Sequence, residues 1–321
     1  MEPYGIIVLD KPKGMTSHTA VAKVKRLLGA SKAGHTGTLD PMATGVLPVL
    51  VGRAVKVASY VVEGEKHYVA EMTLGMTTDT QDSTGKILTT SNDIPSEEKV
   101  REVAQTFLGE ILQVPPMFSA IQVGGVRLMD MARKGKEIER EARPVTVYAL
   151  DVTKKSETVY LIDVRCSKGT YIRTICADIG DALGCGAVMS GLCRVETGGF
   201  LLSQAISLEK LEQTPPEMRQ TFLHLPEETT FKNFPEYHAP AFFDHLLYHG
   251  LAVSLKKLPG APRQVGTKVR LYDKLGFFGI GTVKGEAELL AEWEQSEQNT
   301  PKPDGDALQC EKVIRLKPPL R

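Results

Sequence analysis

The sequence has few of the features that mark metal-binding, secreted or membrane proteins. Its 321 residues include five cysteines, which form no C-x-x-C pair and have no His-x-His partner, so we expect no structural zinc site. Buried thiols in a reducing compartment fit this spacing better. The chain begins without a basic signal-peptide segment and has no apolar run long enough to cross a membrane. These absences predict a cytoplasmic protein with no membrane partner.

The motifs of several large enzyme classes are also missing. There is no GxxxxGK[ST] phosphate loop, no HExxH, no GxSxG, and no GxGxxG after a predicted strand.

The formal net charge is zero, which argues against a strong general affinity for nucleic acid. The charge is uneven, however, because residues 1–60 carry eight Lys and Arg against three acids. This basic region indicates a phosphate-bearing partner, unless the lysines only cover solvated helix faces.

A glycine-rich loop at residues 34–45 is the most informative stretch. Its glycines permit positive φ angles, and Pro41 disfavours the α conformation at Asp40. The loop would present a carboxylate in a constrained position before an apolar strand at 46–51, as a catalytic group requires. Asp before Pro is also typical of an ordinary turn, and Gly-x-x-Gly is typical of the RNA clamp of KH domains. The KH alternative is disfavoured, since Asp40-Pro41 interrupts the helix that should follow.

The hydrophobic periodicity predicts alternating strands and helices. We expect strands at 4–10, 46–51, 67–74, 145–152, 158–166 and 187–195, one helix with Ser17 as its N-cap, one with Ser96 as its N-cap, and one after Gly169. Residues 1–213 are predicted to form one domain, 214–240 a linker rich in Pro, Glu and Thr, and 241–321 a small β-barrel. Residues 115–143 read as an insertion that either reaches a partner or forms a solvated hairpin with a charged helix. Residues 286–309 are acidic and polar and are predicted to be mobile.

Three further side chains are candidates for a site. Arg173 lies in the first turn of its helix, where the dipole disfavours a cation, and no acid stands three or four residues away. It is therefore either a surface arginine or the partner of a distant carboxylate such as Asp40, which it would keep ionised. Tyr68 either packs in the core or stacks on an unstacked base. His35 could donate a hydrogen bond or contact phosphate.

Several motifs in this order resemble the bacterial TruB family of tRNA pseudouridine synthases, over roughly residues 4–200. They are Leu9-Asp10-Lys11-Pro12-x-Gly14-x-Thr16-Ser17, the loop Gly34-His35-Thr36-Gly37-Thr38-Leu39-Asp40-Pro41-x-Ala43-Thr44-Gly45, Lys66-x-Tyr68, Ser167-Lys168-Gly169-Thr170-Tyr171-Ile172-Arg173, Gly184-Cys185-Gly186-Ala187, and Leu192-x-Arg194.

The resemblance implies an α+β pseudouridine synthase fold with a mixed, mostly antiparallel sheet and flanking helices, a thumb-like insertion that grips the tRNA T-stem loop, and a C-terminal PUA-like RNA-binding barrel. It implies isomerisation of uridine 55 by a monomer without metal, cofactor or obligatory protein partner. The implied roles are Asp40 as nucleophile, Tyr68 stacking on the flipped base and assisting deprotonation, Arg173 pairing with Asp40, Leu192 packing in the pocket, and His35, Lys11 and Tyr171 supporting RNA binding or the pocket.

Two alternatives remain at this point. A dyskerin-like synthase shares the aspartate loop but depends on a guide RNA and partner proteins, and the thumb-like insertion disfavours it. A non-catalytic tRNA-binding or folding protein could retain the same pocket.

Overall fold

The computed structural model describes residues 2–62, 64–119, 121–296 and 302–315. Up to residue 213 the strands are β1 (Gly5–Lys11), β2 (Ala33–His35), β3 (Thr44–Val51), β4 (Lys66–Leu74), β5 (Met76–Thr78), β6 (Ile87–Thr90), β7 (Gly109–Gln113), β8 (Gln122–Val123), β9 (Val126–Arg127), β10 (Arg143–Lys154), β11 (Val159–Cys166), β12 (Ala187–Thr197), β13 (Phe200–Leu201) and β14 (Ile206–Ser207). The helices there are α1 (Ser17–Leu28), α2 (Ala58–Val62), α3 (Glu97–Gln105), α4 (Leu128–Ala132), α5 (Ile172–Leu183) and α6 (Leu208–Gln213). Later elements are β15 (Glu236–His238), α7 (Ala241–Tyr248), β16 (Val253–Ser254), β17 (Lys268–Asp273), β18 (Gly276–Lys284), α8 (Glu286–Glu294) and β19 (Ala307–Val313).

A ten-stranded mixed sheet organises the first two thirds of the chain. Its main order is β14-β1-β3-β12-β4-β11-β10-β7, and β2 and β13 pair with β3 and β12. Neighbours are antiparallel except β1 with β14 and β3 with β12, which are parallel. On β4, Tyr68, Ala70, Met72 and Leu74 are buried on one face, as their period of two requires. The predicted α+β fold with a mostly antiparallel sheet is confirmed.

Helices α1, α3 and α5 cover one face of this sheet through their apolar stripes. The prediction that Ser17 is the N-cap of α1 is wrong. Thr16 is the cap and accepts a hydrogen bond from the Thr19 backbone at 3.0 Å. Ser17 is buried in the first turn, where its Oγ accepts from Leu39 N at 2.8 Å and is 2.9 Å from Leu39 O. Ser17 therefore fixes the glycine-rich loop to the helix that precedes it.

A second, five-stranded sheet, β15-β17-β18-β19-β16, forms near the C-terminus around its own apolar cluster. Ile280 and Ile314 also join a cluster with residues of β1 and β3, such as Ile6, so that the two sheets share a core. Arg53 Nη1 donates to the Ile314 and Arg315 carbonyls at 3.1 and 3.0 Å, which strengthens this contact. A small β unit is therefore present, and its assignment as a PUA barrel stays a prediction.

Three segments differ from their predicted local structure. The predicted linker contains a 3₁₀ turn at Pro216–Phe222, which packs on α1, and also the strand β15. The segment 286–309, predicted to be mobile, contains α8 and the start of β19, while its residues 297–301 lie outside the described part of the chain. In the insertion, the expected charged helix is the short α4, which ends at Ala132 before most of the basic residues.

The predicted domain boundaries remain predictions. No helix in the described ranges is long and apolar enough to span a membrane.

Candidate active site

A cavity of about 280 Å³ opens where the glycine-rich loop, β4, β12 and the start of α5 meet the insertion. Five of the predicted site residues line it, namely Asp40, Tyr68, Tyr171, Arg173 and Leu192. Phe118, Ser119 and Met129 bring the insertion to the same cavity. The tertiary structure thus collects motifs that are up to about 150 residues apart in the chain into one site.

Close backbone packing holds the loop that carries Asp40. Gly45 has a φ of +96°, and a Cβ at this position would lie 2.2 Å from the Arg194 carbonyl oxygen. This contact exists because β3 and β12 are parallel neighbours in which Gly45 is paired with Arg194. The Gly45 N–H also donates to Asp10 Oδ1 at 3.2 Å. The end of the loop is therefore fixed by contacts that only glycine permits.

We expect Gly45→Ala to lower the free energy of unfolding by more than about 2 kcal/mol, because it combines a positive φ with a backbone clash. Gly184→Ala is the matched control: Gly184 also has a positive φ of 78°, but its Cβ would meet no atom within 4 Å. The control should lose only about 1 kcal/mol. Chemical denaturation of both variants checks this, and equal losses would contradict the role assigned to the close approach.

Two buried cations donate hydrogen bonds to backbone carbonyls of the glycine-rich loop. Lys11 is fully buried, and its Nζ donates to the carbonyls of Pro12, Met15 and Pro41 at 2.9, 2.7 and 3.3 Å. Burial lowers the pKa of Lys11 to about 8, although the nearby Asp40 carboxylate opposes this. Arg194 Nε donates to Val46 O at 2.8 Å, and its Nη2 donates to Gly37 O at 3.0 Å. Lys11 thus holds the loop and does not line the cavity, whereas Arg194 does both.

Asp40 and Arg173 form an ion pair across the cavity. Arg173 Nε lies 3.0 Å from Asp40 Oδ2, and its Nη2 donates to Oδ1 at 3.5 Å. The guanidinium is fixed further by the carbonyls of Phe118 at 2.8 Å and Thr80 at 3.2 Å. The Arg173 side chain is 6% exposed and that of Asp40 is 34% exposed. The arginine is therefore rigid and buried, while the carboxylate remains open to a bound molecule.

The electrostatic environment of Asp40 differs from the one expected from sequence. Burial raises the pKa of its carboxyl above the ordinary value, and Arg173 opposes this shift without reversing it. A second buried carboxylate, Asp82, adds to the upward shift, and its Oδ2 lies 3.9 Å from Arg173 Nη1. Thr84 N donates to Asp82 Oδ1 at 2.9 Å and Thr80 Oγ1 does so at 2.8 Å, so that this carboxylate is held in place. Asp82 was not predicted, because it lies in a polar turn with no local sign of its partner.

The raised pKa of Asp40 predicts a shifted acid limb in the pH dependence of kcat/KM. If the ionised carboxylate is the active form, activity should fall as the pH drops through a value above that of an ordinary aspartate. Asp82→Asn removes a nearby negative charge, so it should lower the pKa of Asp40 and move the limb to lower pH. A steady-state pH profile of both proteins checks this. A shift to higher pH in the variant would contradict it.

The remaining predicted site residues have distinct environments. Tyr68 is 7% exposed, and burial raises the pKa of its phenol. The backbone of Tyr171 is held by the Gln113 amide, which accepts from its N–H at 2.7 Å and donates to its carbonyl at 3.0 Å. The Leu192 carbonyl accepts from Thr44 Oγ1 at 3.4 Å. His35 lies outside the cavity lining on β2, and burial lowers the pKa of its ring.

The fold and the site define a class of protein, the pseudouridine synthases. A solved Cbf5–Nop10–Gar1 complex contains a similar chain, with a TM-score of 0.67 and 29% identity over 98% of this chain and 85% of that one. An H/ACA ribonucleoprotein bound to a substrate RNA contains another, with a TM-score of 0.65 and 27% identity over 98% of this chain and 86% of that one.

Sequence comparison identifies the family more narrowly. The N-terminal domain of TruB family pseudouridylate synthases matches residues 25–172, and the C-terminal domain of tRNA pseudouridylate synthase B matches 173–223. The tRNA pseudouridine synthase B of Clostridium acetobutylicum is 41% identical over 88% of this chain and 96% of its own. That of Pseudomonas aeruginosa is 41% identical over 89% and 93%. The chain belongs to the TruB family, and it is an isomerase that forms pseudouridine in tRNA.

Proposed function

We propose that this enzyme isomerises uridine 55 in the T loop of tRNA, with Asp40 as nucleophile and the target base flipped into the cavity. The observation that carries this proposal is the Asp40–Arg173 ion pair inside a cavity lined by Tyr68 and Leu192. It presents one reactive carboxylate to a pocket that has both an aromatic and an aliphatic wall. A planar uracil fits between such walls.

The chemistry requires little beyond these groups. The N1–C1′ bond breaks, the uracil rotates, C5 joins C1′, the C5 proton leaves and N1 gains a proton. Because no oxidation and no group loss occurs, the balanced reaction needs neither a cofactor nor a metal ion. Asp40 attacks either C1′ of the ribose or C6 of the uracil, and Arg173 keeps the carboxylate oriented for both. Tyr68 stacks on the base and assists removal of the C5 proton.

Base flipping explains the preference for a loop. Extruding a base costs a few kcal/mol, and least where stacking is already interrupted, as in the T loop. The insertion supplies Phe118, Ser119 and Met129 to the cavity wall, so a segment that grips the T-stem loop would also close over the flipped base. We therefore assign RNA recognition to the insertion, with the enzyme acting as a monomer on tRNA alone.

The guide-dependent alternative receives less support from similarity. The relatives named tRNA pseudouridine synthase B are 41% identical over nearly nine tenths of this chain, whereas the chains of the Cbf5 and H/ACA complexes are 27–29% identical. Incubation of the purified protein with a T-stem-loop RNA, followed by mapping of pseudouridine, decides the matter. Product at one loop uridine, without added guide or protein, supports the proposal. Failure on intact tRNA would refute it.

A further inference from the structure

Lys66 is a cation in the cavity wall that the mechanism above does not use. It is the first residue of β4, two positions before Tyr68, and it is half-buried. Its neighbours across the sheet are Cys166 on β11 and Thr197 on β12. The side chain lines the same cavity as Asp40 and therefore stands within the proposed substrate site.

The ammonium group of Lys66 has no anionic partner among the residues that the structure describes. Among the residues that the structure describes, Lys66 Nζ makes no ion pair and no hydrogen bond, whereas Lys11 donates to three carbonyls. Burial lowers the pKa of Lys66, and the nearby cations Arg194 and Lys168 lower it further, while Cys166 opposes the shift. Leaving a partly buried charge unpaired costs free energy, so an unpaired cation in the same cavity as Asp40 indicates a role in binding a ligand.

Lys66 and Arg194 approach the same point of the glycine-rich loop. A Cβ built on Gly37 would lie 3.3 Å from Arg194 Nη1 and 3.9 Å from Lys66 Nζ. The guanidinium uses Nε and Nη2 for backbone carbonyls, and its Nη1 lies near the same built Cβ position as Lys66 Nζ. Two cationic groups that converge on one point, where no acid of the described residues pairs with Lys66, are suited to an anionic ligand.

We propose that Lys66, assisted by Arg194 Nη1, binds the backbone phosphate attached to the flipped nucleotide, an inference that rests on the proposed function. Uracil is neutral, so the phosphodiester is the anionic group that an RNA nucleotide brings with it. The phosphate is covalently linked to the ribose whose C1′ must reach the Asp40 region of the same cavity. Holding this phosphate fixes the sugar relative to the carboxylate, which contributes to binding and to orientation.

The test pairs a protein variant with an RNA variant. Lys66→Met removes the charge but keeps most of the length, Lys66→Arg keeps the charge, and Lys154→Met is the control, because Lys154 is exposed at the far end of β10. Each protein is assayed on a T-stem-loop RNA, and on two RNAs with one uncharged methylphosphonate linkage, placed either 5′ or 3′ of the target uridine. Both kcat/KM and the Kd for RNA are measured, the latter also in an Asp40→Asn background that prevents turnover.

We expect Lys66→Met to raise the Kd about tenfold or more, as loss of a charged hydrogen bond does, and to reduce the slope of log Kd against log salt by about one. Lys66→Arg should recover most of the affinity, and Lys154→Met should leave it unchanged. One of the two uncharged linkages should weaken wild-type binding by a similar factor and should weaken Lys66→Met no further. The melting temperature of Lys66→Met should not fall, since no hydrogen bond or ion pair among the described residues is lost.

Additive losses at both linkages would overturn the inference, because the lysine would then contact neither phosphate. An unchanged Kd, or a loss explained by a lower melting temperature, would overturn it too. These outcomes differ from failure of the proposed function, in which the wild-type protein makes no pseudouridine in the unmodified RNA. The Kd measurements in the Asp40→Asn background test the phosphate contact in either case.

Discussion

Replacing Asp40 by asparagine is expected to reduce the single-turnover rate by about 10⁴-fold or more, the scale seen when an enzyme loses its nucleophile. Asparagine keeps the shape of the side chain but cannot attack carbon as a carboxylate does. RNA affinity should stay close to that of the wild type, because the insertion and the other residues that line the cavity are unchanged. Single-turnover assays of pseudouridine formation, together with filter binding of the same RNA, measure the two quantities separately.

An exposed carboxylate provides the control for this variant. Asp163 is 54% exposed on β11 and pairs with His67, so Asp163→Asn should leave turnover unchanged. Substantial turnover by Asp40→Asn would remove Asp40 from the role of nucleophile. Loss of RNA binding in parallel with turnover would mean that Asp40 serves to hold RNA and is not the nucleophile.

Replacing Arg173 by alanine is expected to lower kcat by about 10²–10³-fold, the range found when one preorganised charged donor is removed, with a much smaller effect on RNA affinity. The guanidinium contacts Asp40, Phe118 and Thr80 and is nearly inaccessible, so it has little surface to offer to phosphate. Its loss leaves Asp40 and Asp82 without their shared cation. The pKa of Asp40 should rise further, and part of the lost activity should return as the pH is increased.

The assays of Arg173→Ala need a control variant and a conservative variant. Arg101→Ala is the matched control, because Arg101 forms an exposed pair with Glu97 on α3 and should be dispensable. Arg173→Lys retains the charge but cannot donate to both carboxylate oxygens, so it should recover only part of kcat. If Arg173→Ala weakened RNA binding as much as it slowed turnover, the arginine would be a phosphate contact and its pairing with Asp40 would be incidental.

Local patterns in the sequence determined much of this protein. The alternation of buried side chains in β4 and the apolar stripe of α1 can be predicted from residues that are close in sequence, because side-chain direction follows directly from backbone geometry. The glycine-rich loop and its Asp40-Pro41 step were recognisable for the same reason. The absence of a nearby acid around Arg173 left two alternatives, a surface arginine or the partner of a distant carboxylate, and in the structure Arg173 pairs with Asp40.

Only the tertiary structure decided what surrounds these groups. It brought Asp82 to 3.9 Å from Arg173, left Lys66 without an acid among the described residues, and buried Asp40 enough to reverse the expected direction of its pKa shift. It also placed Lys11 beneath the loop instead of in the cavity. Burial and charge pairing depend on which distant segments meet, and no local pattern of residues contains that information.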